Sequence, residues 1–308
     1  MNSTLPLRKN RDFGEKVSDT VRFIKLNWKN LLIMYGLFVL PFLLVAVLLG
    51  AGYFMDIFTQ IRGNGLQQLF QGWKLIVAAI LLFLAINMMA AYVYVYMDLW
   101  EKKDEMPTVT DVARKIMKPF LTNIMYSFIL FLFIMAVCLA VVLIISAFGR
   151  SAGVMALMVL LLFLGFIFFS AYFILVYPAN TIGGNEFGSP IRAAWILLRN
   201  NWWPSLGYVM VLGLIYYIFS FITQMVLTMV FGISTLLNPE QTTMASGKGM
   251  AVVYGLSILI QQLFYLVIFV GSGILYYTLH EEKVGTGLES RIEEIGSKQT
   301  GSSQQEEY

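Results

Sequence analysis

Six long apolar stretches without an Asp, Glu, Lys or Arg side chain dominate this chain of 308 residues and limit the folds open to it. They extend over Leu31–Met55, Leu75–Met97, Phe120–Phe148, Val154–Tyr177, Ser205–Phe231 and Met250–His280. As an α-helix, each is long enough to cross a hydrocarbon core of about 30 Å. Strands of a membrane barrel would instead show about ten residues of alternating polarity, which excludes a β-barrel. We predict an all-α polytopic membrane protein with six transmembrane helices.

The composition agrees with this fold class and narrows the chemistry. Charged residues make up 13% of the chain, whereas a soluble domain carries about 25%. The single cysteine and single histidine exclude an internal disulfide, a cysteine-based zinc cluster and a multi-histidine metal site. No Ser-His-Asp or paired-carboxylate arrangement is present. We therefore expect no enzyme, no metal, no other cofactor and no nucleic-acid partner.

Three short amphipathic segments precede the first, third and fifth apolar stretches. In each, apolar side chains recur at three- and four-residue spacing, which places them on one helical face. These faces are Phe13, Val17, Val21 and Ile24 in Phe13–Trp28; Val109, Val112, Ile116 and Phe120 in Val109–Phe120; and Phe187, Ile191, Trp195 and Leu198 in Phe187–Trp203. Ser189 and Pro190 suit the cap and first turn of the third helix. We predict three interfacial helices at the cytoplasmic membrane surface, drawn there by apolar burial and anionic lipid.

Lys and Arg residues are distributed unequally between the two sides of the predicted bundle. Connections between consecutive stretches are counted from the N-terminus. Seventeen Lys and Arg residues lie before the first stretch, in the second and fourth connections and in the tail. The other four lie in the first, third and fifth connections, on the opposite side of the bundle. The side richer in Lys and Arg is expected to be cytoplasmic, together with both termini. Candidate contacts to lipid or partner proteins are Lys16, Arg22, Lys25, Lys29, Arg114, Lys115, Lys118, Arg192, Trp195 and Arg199.

The pattern divides the chain into a flexible N-terminus (1–12), a membrane domain (13–280) and a charged, largely disordered cytoplasmic tail (281–308). Within the membrane domain, 13–103, 104–186 and 187–280 each hold one amphipathic helix followed by two spans. One interpretation is three parallel repeats. The other is that basic amphipathic helices commonly precede spans and need no shared ancestry.

The stretch Tyr177–Trp203, YPANTIGGNEFGSPIRAAWILLRNNWW, ends a span at proline, turns, and returns to the membrane through an amphipathic helix that ends in Asn-Trp. It resembles the membrane domain that accompanies some glycerophosphodiester phosphodiesterases, and related bacterial six-span families of unknown function. The resemblance implies a multi-pass protein of the bacterial cytoplasmic (inner) membrane. The phosphodiesterase activity of that group belongs to a separate soluble barrel, for which this chain has no room.

The interiors of the spans lack Asp, Glu, Lys, Arg and His, which argues against an ion-coupled pump. Their candidate polar residues are Asn87, Gln224, Gln261 and Gln262, which either line a substrate path or form hydrogen bonds between helices. Our leading hypothesis is a non-catalytic membrane subunit that scaffolds or assists other membrane proteins, or a membrane assembly or translocation complex. One alternative is a passive transporter or channel for an apolar or lipid-like molecule. Another is a protein that senses lipid or membrane curvature. Expected partners are the bilayer and other membrane proteins.

Overall fold

A computed structural model describes residues 5–59, 72–102, 106–148, 152–183, 188–237 and 244–285. These residues are 90% helical and contain no strand. Six stretches of helix are long and apolar enough to cross a membrane, which confirms the all-α polytopic membrane fold. The helices are α1 (Phe13–Met34), α2 (Leu40–Thr59), α3 (Trp73–Lys102), α4 (Val109–Lys115), α5 (Met117–Phe148), α6 (Ala152–Thr181), α7 (Pro190–Leu198), α8 (Trp202–Leu237) and α9 (Met244–Val284).

A π-helical turn at Tyr35–Val39 joins α1 to α2, so that the first amphipathic segment continues directly into the first span. Pro41 lies at the start of α2. Proline lacks an N–H group, and its ring crowds the carbonyl of the preceding turn. The backbone N–H of Leu40 reaches five residues back to the carbonyl of Tyr35. The wider π-helical turn shifts the pairing of backbone hydrogen bonds by one residue just before Pro41. This is the point at which the proline ring would otherwise crowd the carbonyl of the preceding turn.

The three amphipathic segments begin in the same way, with a side-chain oxygen that accepts a hydrogen bond from a backbone N–H three residues later. The paired residues are Asp12 with Glu15, Thr108 with Asp111, and Ser189 with Arg192. Pro190 occupies the first turn of α7, which confirms the predicted start of this helix. Gly188, at φ 82°, precedes the cap in a backbone conformation that favours glycine. These contacts satisfy N–H groups that the first helical turn leaves without partners.

Several bounds differ from the predicted ones. Helix α6 continues through Pro178 to Thr181, because one missing hydrogen bond does not by itself end a membrane helix. The third amphipathic helix ends at Leu198, earlier than predicted. Helices α8 and α9 extend into 232–249, beyond the apolar stretches that end at Phe231 and begin at Met250. Most of the connection between the first two apolar stretches, Phe187, and the tail beyond residue 285 lie outside the described residues.

Burial is concentrated in one half of the bundle. We call this half the proximal end; it contains the starts of α1, α5 and α8 and the ends of α3, α6 and α9. Apart from Ala78, the buried residues of α3 begin at Ala85, whereas those of α5 end at Ser127 and those of α8 at Leu212. Helices α3 and α9 lie at the centre, where α9 packs against α2 and α8, and α3 packs against α2 and α5. Beyond the proximal end, Phe128–Leu143 of α5 and Gly213–Val230 of α8 form two exposed apolar arms, the α5 arm and the α8 arm.

Residues 5–12, which we call the N-terminal strap, pack against the proximal end. The sequence predicted a flexible N-terminus over residues 1–12, whereas Leu5, Leu7 and Arg11 are buried in the part of it that the structure describes. The Arg11 guanidinium donates hydrogen bonds to the backbone carbonyls of Pro6, Leu7 and Lys9 and forms an ion pair with Asp19 on α1. Buried Leu5 and Leu7 and the contacts of Arg11 thus hold the strap in place. The polar composition of the segment did not indicate these contacts.

Candidate functional site

A groove of about 950 Å³ opens at the proximal end between the α4–α5 and α6–α7 segments. We call it the basic groove. Its lining combines basic, hydroxyl, amide and apolar side chains with the turn that precedes α7. The lining residues are Val95, Asp98, Arg114, Lys115, Met117, Lys118, Pro119, Leu121, Thr122, Tyr126, Asn180, Thr181, Gly188 and Pro190. Because both polar and apolar groups face the same space, an amphipathic ligand fits it better than a wholly polar one.

The cations of the groove lie on α4 and on the first turn of α5. Val112 and Ile116 are buried in the core, which leaves Arg114, Lys115 and Lys118 exposed on the other side of the segment. Within the described residues, none of these three cations forms an ion pair. The carboxylate in the groove lining belongs to Asp98, and Lys102 neutralises it at 2.6 Å. The groove therefore carries an excess of positive charge.

An amide and a hydroxyl fix the wall of the groove between α5 and α6. The Asn180 side chain donates hydrogen bonds to the Thr122 hydroxyl at 2.6 Å and to the side-chain oxygen of Asn123 at 3.0 Å. Thr122 in turn donates to the backbone carbonyl of Lys118 at 3.0 Å. Asn123 is fully buried, and its amide nitrogen has no hydrogen-bond partner in the described part of the chain. This network connects the position of Lys118 to helix α6.

A second polar network lies further along the same helices and contains the predicted residue Asn87. The Ser127 hydroxyl donates to the Asn87 side-chain carbonyl at 2.6 Å, and the Ser127 and Tyr177 hydroxyls lie 2.9 Å apart. Asn87 also donates to the backbone carbonyl of Phe83 at 2.9 Å. These bonds join α3, α5 and α6, so Asn87 takes part in contacts between helices, one of its two predicted roles.

The other polar candidates within the spans belong to α8 and α9. Ser257 donates to the side-chain carbonyl of Gln224 at 2.9 Å, which joins these two helices. Gln261 is half-buried. Gln262 is buried, and its side-chain oxygen has no partner among the described residues. The hydrogen bonds of Asn87 and Gln224 lie at different helix interfaces, so the structure does not join these two residues in a single path.

Among the basic candidates, Lys16 differs from the prediction. Only 6% of its surface is exposed, and the face of α1 that packs into the protein also contains Thr20 and Asn27. Helix α1 lies against α8 and α9, and the acidic residues Glu282 and Asp12 act electrostatically on Lys16. Lys16 is therefore not a surface contact. The remaining candidates are exposed: Arg22, Lys25, Lys29, Arg114, Lys115, Lys118, Arg192, Trp195 and Arg199.

The predicted amphipathic faces meet different surroundings. On α4, Val112 and Ile116 pack into the protein core and do not face lipid. On α7, Ile191 and Trp195 are exposed, whereas Leu198, which was predicted to lie on the same face, is buried together with Ala193, Ala194 and Leu197. Tyr172 of α6 holds α7 in place, because its hydroxyl donates to the Ile191 carbonyl at 2.9 Å and its ring lies 6.3 Å from that of Trp195. The apolar spacing thus predicted the helices α4 and α7, but it did not predict which of their apolar side chains the protein covers.

Sequence reasoning missed a set of buried tyrosine hydroxyls at the proximal end. The pairs are Tyr94 with Ser272, Tyr96 with Asn27, and Tyr208 with Thr20, each at 2.7 Å. Each pair joins two helices that are distant in sequence. The tyrosines near the end of the second span were visible in the sequence, but no spacing indicates which partner each hydroxyl meets.

No group of three or more His, Cys, Asp or Glu side chains that could hold a metal occurs in the described residues. Cys138 lies exposed on the α5 arm.

Comparison of the chain with models of protein families, with curated proteins and with solved structures finds no match. Among the described residues, the basic groove, the two arms and the N-terminal strap are the features that bear on function.

Proposed function

We propose that this protein is a non-catalytic membrane subunit that scaffolds or assists other membrane proteins, or a membrane assembly or translocation complex. The observation that supports the proposal is the unequal burial of the spans. In the most apolar eighteen-residue stretch of each helix, 50% of residues are buried in α3 and in α9, but only 6% in α5 and in α8. Two of the six spans thus have very few residues buried inside the protein.

The arms have the character of a surface that accepts a neighbouring helix. Lipid tails are as apolar as leucine, so helices associate in a membrane through close packing and hydrogen bonds and not through hydrophobicity. Met225 and Met229 are exposed on the α8 arm, and Phe128 and Phe131 are exposed on the α5 arm. Methionine side chains adapt to partners of different shape. A partner with transmembrane helices would gain packing contacts along either arm.

The proposed location is the cytoplasmic (inner) membrane of a bacterium, with the proximal end and both termini in the cytoplasm. The excess of Lys and Arg on that side supports the orientation. The exposed cations of α1, α4 and α7 lie at this same end, where anionic lipid would attract them. The resemblance of Tyr177–Trp203 to bacterial six-span families supports the proposed bacterial origin.

Site-specific photocrosslinking tests the scaffolding role in cells. A photoreactive residue is placed at Phe131 on the α5 arm or at Ile222 on the α8 arm, with Val45 on α2 as an exposed control outside both arms. We expect a discrete protein adduct from at least one arm and none from Val45. The adducted protein should also co-purify in mild detergent at a constant ratio.

Two results would contradict the proposal. One is the formation of lipid adducts alone at both arms. The other is turnover or selective transport by the purified protein without a partner, which would favour the enzyme or transporter classes instead. In that case, replacement of Gln261 and Gln262 by leucine would test whether flux depends on polar side chains within the spans.

A further inference from the structure

The charge in the basic groove lies where a membrane surface would be. Lys118 comes two residues before the apolar run that begins at Phe120, and Arg114 and Lys115 lie one helical turn earlier. When α5 spans a bilayer, these cations reach the level of the lipid headgroups. They form no ion pair within the described residues, so their hydrogen-bond donors are available to an anion.

An apolar stripe leads out of the groove along α5. Met117 and Leu121 line the groove, and Met125 and Phe128 continue the same side of the helix at four- and three-residue spacing. Each of the four side chains is at least half exposed. The stripe therefore connects the cationic groove to the α5 arm, along the direction that an acyl chain takes from its headgroup.

Hydroxyl-bearing residues and a helix start also line the groove. These are Thr181, Tyr126 and Pro190 at the start of α7. A helix N-terminus carries partial positive charge, which adds to the attraction of an anion. The groove volume of about 950 Å³ falls at the upper end of the range of about 300–1,000 Å³ typical of ligand sites.

We infer that the basic groove binds an anionic phospholipid, with its phosphate on Arg114, Lys115 and Lys118 and an acyl chain along the α5 stripe. Arginine and lysine form charge-assisted hydrogen bonds with phosphate oxygens. A soluble phosphate compound shares this chemistry, but it would leave the stripe from Met117 to Phe128 unused. The continuity of charge and apolar surface therefore favours the lipid. This inference does not depend on the scaffolding role.

Native mass spectrometry of the full chain in neutral detergent tests the site. Phosphatidylglycerol is titrated against phosphatidylcholine with the same acyl chains, and glycerol 1-phosphate serves as the soluble phosphate. The groove variant carries Arg114→Gln, Lys115→Gln and Lys118→Gln. The control variant carries Lys283→Gln, which removes an exposed cation of the proximal end that lies outside the groove lining, and the single variants Arg114→Gln and Lys118→Gln match it in charge. Thermal unfolding of all variants checks that they remain folded.

The expected result is one tightly retained phosphatidylglycerol on the wild-type protein, an affinity at least tenfold lower for the groove variant, and a change of less than twofold for the control. The single variants Arg114→Gln and Lys118→Gln should each weaken binding at least twofold, and they carry the test if the triple variant does not fold. A loss in the control variant equal to that in the single variants would overturn the inference in favour of general surface charge. Equal binding of phosphatidylcholine, or of glycerol 1-phosphate, would overturn it as well.

Discussion

The hydroxyl of Tyr208 on α8 lies 2.7 Å from the hydroxyl of Thr20 on α1, although 188 positions separate the two residues. The same tyrosine hydroxyl lies 3.2 Å from the backbone carbonyl of Gly271 on α9 and 3.4 Å from that of Lys16. Tyr208 is fully buried. One phenol therefore joins three helices at the proximal end.

Substitution Tyr208→Phe should lower the free energy of unfolding by about 1–2 kcal/mol, because it removes these bonds while the ring packing is kept. Unfolding of the detergent-solubilised protein by SDS or heat measures the change. Tyr217→Phe is the matched control, since Tyr217 is exposed on the α8 arm, and it should change stability by about 0.5 kcal/mol or less. Equal losses from the two substitutions would contradict this account.

Substitution Arg11→Ala should release the N-terminal strap and destabilise the protein by about 3 kcal/mol, because it leaves Asp19 without its cation and three carbonyls without their donor. Limited proteolysis should then cleave within residues 5–12, and thermal unfolding should shift downward. Lys9→Ala removes an exposed pair with Glu15 and should lower stability by about 1 kcal/mol or less. Retention of protease resistance in the Arg11 variant would show that apolar contacts alone hold the strap.

Substitution Gly271→Ala should weaken the packing of α8 on α9. A Cβ atom at this position would collide with the Leu212 side chain and approach the Tyr208 hydroxyl to 3.1 Å. Overpacking of this kind lowers stability by about 1–3 kcal/mol. Gly213→Ala is the matched control, because a Cβ there meets no atom within 4 Å. A loss of stability confined to the Gly213 variant would refute the proposed contact.

Cysteine labelling checks the orientation with two positions near opposite ends of α9. In a Cys138→Ala background, a membrane-impermeant thiol reagent should label Ser246→Cys from outside intact cells and should not label Lys283→Cys. Lys283 is exposed near the proximal end of α9, so the predicted cytoplasmic side explains its protection. Opening the cells should make Lys283→Cys reactive. The reverse pattern would invert the topology.

The sequence alone determined the class of fold and much of its local structure. Charge-free runs such as Phe120–Phe148 have no stable place outside lipid, and every backbone polar group in lipid needs an internal partner, so helices follow. The caps at the helix starts were equally local. Ser189 and Pro190 begin α7 as predicted, because a capping side chain needs only its own next three residues.

Only the tertiary structure decided which side of each helix packs against the rest of the protein and which side stays exposed. A protein core and lipid tails are both apolar, so the pattern that buries Val112 in the core resembles the one that leaves Trp195 exposed. The sequence also did not predict that Lys16 is buried or that Arg11 fixes the strap. Arg114 and Asn180 lie far apart along the chain, and they line the same groove only because α4–α5 and α6 pack at the proximal end.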